Sequence, residues 1–377
     1  MCRWFVYISS TEPCLLEDVL VSMCLQLHIH PKPKLTQCSA PAHALSKQVH
    51  EHYLPKLLSH DPAVHAEPTT QAEIATRNRL FNVDGFGMTW YTQALSTFSQ
   101  PASSSTTKAN LWPALYKTIQ PPLHDANFRS ICSNTASNVV FAHIRAATST
   151  AITPVNNHPF IFGIHTIMHN GYISNFEKIK LQMCNAMSEE AYTNIHGGTD
   201  TEHLAALFMT YLCPSAKEWE SYHEVSEMRA ALEKTIDKII SIQDATPSIS
   251  TREPNDLNVA VTDGRSLIAS RFRDHETEQP PSLYYSISAG VTLNRQFPDH
   301  PDGADGPSGP SIGDVQGKKE GKNPHAIRGR EEHGQHVIVA SEPTTYKGEW
   351  ELIEKNRVVL VEGGEVVGVE KIHFSGT

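Results

Sequence analysis

Cys2 stands directly behind the initiator methionine. A side chain this small at position 2 favours removal of Met1, so the mature chain is expected to begin with a residue carrying both a thiol and a free α-amine. A thiol titrates near ~8.5 and an α-amine near ~7.7–8.0, so the amine can accept the thiol proton near neutrality and no side-chain base is needed. Three later motifs carry complementary chemistry. In His143-Ile144-Arg145-Ala146-Ala147-Thr148, Arg145 offers a planar fork that grips a carboxylate bidentately, with the Thr148 hydroxyl beside it, a pair suited to an amino-acid α-carboxylate. His169-Asn170-Gly171 presents a side-chain amide and a glycine N–H together, both donors for a developing oxyanion, and glycine permits close approach. In Gly197-Gly198-Thr199-Asp200-Thr201-Glu202, Asp200 falls in a helix first turn, where the dipole favours a carboxylate able to receive an ammonium. Taken singly, each has an ordinary explanation: a structural arginine, an Asn-Gly turn, a plain helix start.

These residues need elements to hold them. Arg3 to Ile8 reads as a strand with Cys2 at its tip, followed by a helix capped at Thr11, with Pro13 in its first turn, running through Leu15 to Val21. Ala44 to Leu58 reads as a second helix, and Ser22 to Pro41, broken by prolines, as an inserted loop. Leu80 to Tyr91 reads as a strand, and Gly85 and Gly87 inside it imply a bulge or a close backbone approach. Gln93 to Lys108 is Ser/Thr-rich and reads as a surface loop.

Asn138 to Ala146 and Phe160 to Met168 read as strands, the second handing His169-Asn170-Gly171 to a turn. Helices are expected over Ser174 to Met187 and Thr199 to Leu212, each with a capping box, Ser174 with Glu177 and Thr199 with Glu202. A long amphipathic helix is expected over Ala216 to Ile242. The rest reads as strands, at Leu257 to Val261, Leu267 to Phe272, Leu283 to Ser288, His336 to Ala340, Trp350 to Ile353, Arg357 to Leu360 and Val366 to His373, interrupted by a Gly/Pro-rich loop over Asp299 to Gln335. Strands, then helices, then strands argue for two sheets covered by helices and against a doubly wound parallel sheet.

Composition narrows the function. The formal charge of −10 with scattered Lys and Arg argues against a nucleic-acid surface. No signal-peptide pattern or long apolar run argues for secretion or membrane insertion, and seven cysteines without framework spacing suit a reducing, cytoplasmic setting. Cys24, His28, His30 and Cys38 fit no common zinc spacing, so no metal or other cofactor is expected.

An N-terminal Cys, Arg-x-x-Thr at a strand end, His-Asn-Gly and Gly-Thr-Asp-x-Glu stand in the order found in class II glutamine amidotransferases, and most of the chain resembles that family. Met1-Cys2-Arg3-Trp4-Phe5, Asp84-Gly85-Phe86-Gly87-Met88, Thr153-Pro154-Val155-Asn156-Asn157-His158-Pro159-Phe160 and Ala340-Ser341-Glu342-Pro343 are similar to its stand-alone branch, that of the amidotransferase-like subunits of fungal glutathione-degrading Dug complexes. The resemblance implies an α+β fold, the four-layer αββα N-terminal-nucleophile sandwich, as one domain over residues 2–377 with insertions at about 22–41, 93–108 and 299–335. It implies Cys2 as nucleophile, Asn170 and the Gly171 N–H as oxyanion hole, Arg145 and Thr148 on the substrate α-carboxylate, and Asp200 on its α-ammonium. Asn157, His158, Ser341 and Glu342 are expected nearby, with packing the expected role of His158. The implied substrate is a γ-glutamyl amide, glutathione or glutamine, and the implied partner a peptidase-like scaffold subunit. No synthase, sugar-isomerase or nucleotide-binding motif follows the unit, which favours glutathione hydrolysis over ammonia supply to a separate synthase. The insertion from Ser22 to about Cys38 departs from the family pattern, as a lineage-specific loop or an unspliced intron.

Overall fold

The structure, a computed structural model, describes residues 2–21, 84–99, 110–120, 122, 125–147, 150–300, 323, 326–345 and 349–375. The expected insertion at 22–41, the helix at 44–58 and Thr148 lie outside the described residues.

In chain order the elements are β1 (Arg3–Ser9), β2 (Cys14–Leu15), a π-helical turn (Glu17–Val21), β3 (Gly85–Thr92), α1 (Ala94–Ser99), β4 (Trp112–Thr118), α2 (Ala126–Asn134), β5 (Ala136–Ser137), β6 (Val139–Arg145), β7 (Phe160–Phe162) and β8 (His165–Tyr172). Four helices follow: α3 (Phe176–Asn185), α4 (Glu189–Thr193), α5 (Asp200–Leu212) and α6 (Val225–Asp244). The chain closes with β9 (Asp256–Thr262), β10 (Ser266–Arg271), β11 (Tyr284–Ser286), β12 (His336–Ala340), β13 (Glu351–Leu352), β14 (Arg357–Glu362) and β15 (Glu365–Lys371). One sheet has the order β13-β11-β12-β1-β6-β3-β4, and a second β15-β14-β10-β9-β8-β7.

Residue parity along the strands sets the layers. Trp4, Val6 and Ile8 of β1, with Val139 and Phe141 of β6, meet Met168 of β8, Ala260 of β9, Leu267 and Ala269 of β10, and Val359 and Val361 of β14 in a core between the sheets. The alternate residues Phe5, Tyr7, Val140, Ala142 and Ile144 pack outward against the π-helical turn and α2. On the far side Ile167, Val259, Val261, Ile268, Val358 and Leu360 pack against α3, α5 and α6. The result is helix, sheet, sheet, helix, the four-layer αββα sandwich. Strands buried on both faces lose the polar alternation of half-exposed ones, which is why β1 and β6 read as near-continuous apolar runs.

Several local expectations are corrected. No helix starts at Thr11: the Ser9 hydroxyl accepts the N–H groups of Thr11 and Glu12 at 3.3 and 3.0 Å, and Cys14–Leu15 instead pair with β5. The strand expected over Phe160 to Met168 is a hairpin, β7 and β8, turning at Gly163, whose φ is +57°. Ser174 does not cap α3, since its hydroxyl donates to the Glu253 carbonyl at 2.6 Å and Asn175, with φ +54°, is the cap. The long helix begins only at Val225, after a 3-10 turn at Ala216–Glu218. Part of the expected loop at 93–108 is α1, and β4 and α2 were not anticipated.

Candidate active site

The parity that builds the inter-sheet core also aims the chemistry. Continuing Ile8, Val6 and Trp4 back along the strand brings Cys2 to the inter-sheet side. Phe141 leads through His143 to Arg145 at the end of β6, and Met168 leads to Asn170 near the end of β8. Cys2, Arg145 and Asn170 therefore project from both sheets toward one end of the gap.

Cys2 is held against the strand that delivers Arg145: the Ala146 N–H donates to its sulfur at 3.2 Å, and the thiol faces the Ala146 carbonyl at 3.6 Å. Burial pushes the thiol pKa up, while the Ala146 contact and the Arg145 guanidinium pull it down and Asp200 pushes it up again. The start of β1 is pinned behind Cys2 by Ser341, whose hydroxyl accepts the Trp4 N–H and whose own N–H donates to the Trp4 carbonyl, both at 3.1 Å. Glu342 lies 3.6 Å from the Arg3 guanidinium. Ser341 and Glu342 thus act as clamps on the start of β1, beside Cys2.

Arg145 is buried, and its Nη1 donates to the Ala151 carbonyl at 3.1 Å and more weakly to Asn157 Oδ1 at 3.5 Å, while Nη2 donates to the Thr150 hydroxyl. Among the described residues these contacts leave Nε–H and a second Nη2–H, an edge able to receive a carboxylate side-on. Asp84 brackets the same turn, donating its N–H to the Arg145 carbonyl at 3.0 Å and accepting the Ala147 N–H at 2.7 Å.

Gly171 carries φ +147°, and a Cβ there would stand 2.0 Å from the Asp256 carbonyl oxygen, so no other residue fits without moving β9. His169-Asn170-Gly171 lies within β8, paired to Val259, Asn258 and Leu257, rather than at a turn beyond it. Asn170 is 3% exposed, and its Nδ2 is a buried donor with no partner among the described residues. Asp200 opens α5, and its carboxylate accepts the Ile173 N–H at 2.9 Å, tying that helix start to the end of β8.

Thr199 caps α5 by accepting the Glu202 N–H at 3.1 Å. The Glu202 carboxylate does not return to Thr199 as a capping box would; it accepts the N–H groups of His196 and Gly197 at 3.0 and 2.7 Å. Asn156 joins this loop to the Arg145 loop, accepting from Gly198 N–H at 3.0 Å and donating to the Ala151 carbonyl at 2.8 Å. The glycines of β3 make room for that strap: a Cβ on Gly85 would lie 2.2 Å from Asn157 Nδ2, and one on Gly87 2.0 Å from the His158 carbonyl. Close approach was readable from those glycines, but what approaches was not. Lys117, opposite Gly87 on β4, stands 4.5 Å from the Phe160 ring, and burial lowers its pKa to about 8 against the pull of Glu202. A cavity of about 440 Å³ lined by Pro13, Leu15 and Arg295 lies outside the first sheet, away from these groups.

The His158 and His143 rings lie tilted at 35° to each other with centroids 4.1 Å apart. Burial is the main cause that lowers the His143 pKa to about 3 and that of His158 well below its ordinary value. A folded pKa below the unfolded one means that acid loads the unfolded chain first, so this stability is present above about pH 6.5 and is lost as pH falls. At pH 5 the His143 ring should cost about 2 kcal/mol of stability, and His158 acts in the same direction. Thermal unfolding between pH 7 and 5 should show Tm falling, and a flat profile would mean that these rings protonate freely in the folded protein.

The profile of the family described as glutamine amidotransferases class-II matches residues 72–242. The probable glutamine amidotransferase DUG3 of Saccharomyces cerevisiae is 30% identical over 292 residues, 76% of this chain and 71% of that protein. The chain belongs to the class II glutamine amidotransferases. A probable glutamine–fructose-6-phosphate aminotransferase of Acanthamoeba polyphaga mimivirus is 31% identical over 94 residues, 24% of this chain and 15% of that protein. In solved structures, a glutamine aminotransferase class-II domain protein from Silicibacter pomeroyi aligns at a TM-score of 0.52 and 18% identity, covering 98% of this chain and 99% of that one, a likeness of fold. Among the described residues no helix of this class II amidotransferase is long and apolar enough to cross a membrane.

Proposed function

We propose that this class II amidotransferase hydrolyses the γ-glutamyl amide of glutathione through a thioester on Cys2, as the catalytic subunit of a cytoplasmic complex with a peptidase-like scaffold. The observation that carries the reading is the buried Asn170 Nδ2, without a partner among the described residues and on the same inter-sheet side as the Cys2 sulfur. Preorganised donors of this kind stabilise charge that develops only in the transition state. With Met1 removed, the α-amine of Cys2 takes the thiol proton, sulfur attacks the γ-carbonyl carbon, and the oxyanion rests on Asn170 Nδ2 and Gly171 N–H. Collapse breaks the C–N bond, and the departing amine of Cys-Gly takes the proton from the Cys2 ammonium. Water, deprotonated by the same amine, then cleaves the thioester to glutamate. Arg145 and Thr148 hold the glutamyl α-carboxylate and Asp200 its α-ammonium; glutathione follows from the motif resemblance, because these residues read only the glutamyl head.

Release of Cys-Gly from glutathione and of ammonia from glutamine should be measured side by side, for the purified chain alone and with the scaffold subunit. Glutathione cleavage that rises on adding the scaffold is expected. Ammonia release without glutathione cleavage in either sample would favour an ammonia donor to a separate synthase. Arg145→Lys keeps the charge and loses the fork, so kcat/KM should fall about 10- to 100-fold on both substrates, the range for a lost charge-assisted hydrogen bond. Asp200→Asn should act likewise, and a loss confined to one substrate would move either residue to the leaving-group side.

A further inference from the structure

A ring nitrogen of His165, the Cys213 sulfur and a ring nitrogen of His223 all lie within 4.8 Å of one another. His165 begins β8, roughly 17 Å along the strand from Asn170 at the usual rise per residue. Cys213 caps the C-terminal end of α5, and His223 lies in the connection to α6. His165 and Cys213 are fully buried, whereas the His223 side chain is 15% exposed.

One hydrogen bond and one ion-pair contact indicate the tautomers of the two rings. His165 Nδ1 lies 3.3 Å from the Phe162 carbonyl, and His223 Nδ1 lies 3.4 Å from Glu227 Oε2. A carbonyl and a carboxylate can only accept, so each Nδ1 carries the proton and each Nε2 keeps a lone pair. Both Nε2 atoms are buried without a hydrogen-bond partner among the described residues. An oxygen acceptor on the far nitrogen is the outer-shell arrangement that orients metal-binding histidines.

We infer that His165, Cys213 and His223 form a binding site for a thiophilic divalent transition-metal ion, zinc foremost, which ties the α5–α6 connection to the start of β8. A thiolate and two imidazoles suit zinc. Three atoms mutually within 4.8 Å share a point no more than about 2.8 Å from each, and typical Zn–N and Zn–S lengths are reached by small side-chain rotations. Asp263 is no ligand here, because its carboxylate accepts the N–H groups of His223, Arg265 and Ser266; water takes the fourth position. On binding, the Cys213 S–H bond breaks, the metal–sulfur bond forms and one proton passes to solvent. The site departs from the expectation that the chain carries no metal, and it is separate from the proposed thioester chemistry.

The test is titration of the full chain with Co²⁺, in a Cys2→Ala background that removes a competing thiol and amine. One equivalent should bind with a thiolate-to-cobalt charge-transfer absorption and one proton released. The absorption should vanish in Cys213→Ser, and affinity should drop at least about tenfold in His223→Gln. His223 is partly exposed, so that variant carries the test if Cys213→Ser fails to fold. Absence of the band in the parent protein, its persistence in Cys213→Ser through thiols such as Cys24 and Cys38, or an unchanged affinity in His223→Gln would overturn the assignment.

Discussion

Cys2→Ala should abolish turnover of every γ-glutamyl substrate while leaving the fold intact, the largest effect expected of any single substitution here. Among the described residues the sulfur hydrogen-bonds with the Ala146 backbone alone, at 3.2 and 3.6 Å. Its loss leaves one partly buried N–H without an acceptor, at about 1 kcal/mol. No other described cysteine can substitute: Cys14, Cys132 and Cys213 are buried and Cys184 is half-buried in α3, and burial pushes the Cys132 and Cys184 thiols up and that of Cys213 up to about 12, away from thiolate. Cys2→Ser should retain at most a trace, because a hydroxyl is a far weaker nucleophile at neutral pH. Intact mass of the active protein should lack Met1, since an α-amine in peptide linkage cannot serve as base. Full activity in protein that retains Met1 would sink the N-terminal-nucleophile reading.

Asn170→Ala is expected to lower kcat by about 10² to 10³, the usual effect of removing one oxyanion donor, with little change in KM. Stability should move the other way or hardly at all. The Asn170 amide is 3% exposed and its Nδ2 has no partner among the described residues, so the folded protein already bears the desolvation of an unmade hydrogen bond and alanine relieves it. That split between activity and stability separates a catalytic donor from a structural one. Steady-state kinetics and thermal unfolding on the same preparation would show it, and a large Tm loss with modest kcat change would return Asn170 to a packing role.

Much of the scaffold was legible because its signals are local. β1, β6, β9 and β10 are buried on both faces and rich in Val, Ile, Leu, Phe and Ala, so each appears as a short apolar run of strand length. The errors share a different cause. Ser9 and Ser174 resemble turn and cap residues whichever partner they find; only the folded chain decides that Ser9 takes the amides of Thr11 and Glu12 and that Ser174 reaches Glu253. Phe160 to Met168 hides a hairpin because Gly163 is its sole break, and that turn is buttressed from afar, with Ile164 N–H donating to the Trp219 carbonyl at 2.9 Å.

The candidate site divides along the same line. Residue type and order alone determined the chemical repertoire, a nucleophile, an arginine fork, an amide donor and a carboxylate at a helix start, together with the family they resemble, because side-chain chemistry and motif spacing are properties of the chain. The tertiary structure decided their convergence. Strand parity in two separate sheets turns Cys2, Arg145 and Asn170 toward one gap, and Asp200 is tied to β8 through Ile173. It also decided the supports, Asp84, Asn156, Asn157 and Glu202, whose partners lie on other elements or in neighbouring loops. Long-range hydrogen bonds leave no periodicity in a sequence, since each depends on two segments meeting only after the layers have packed.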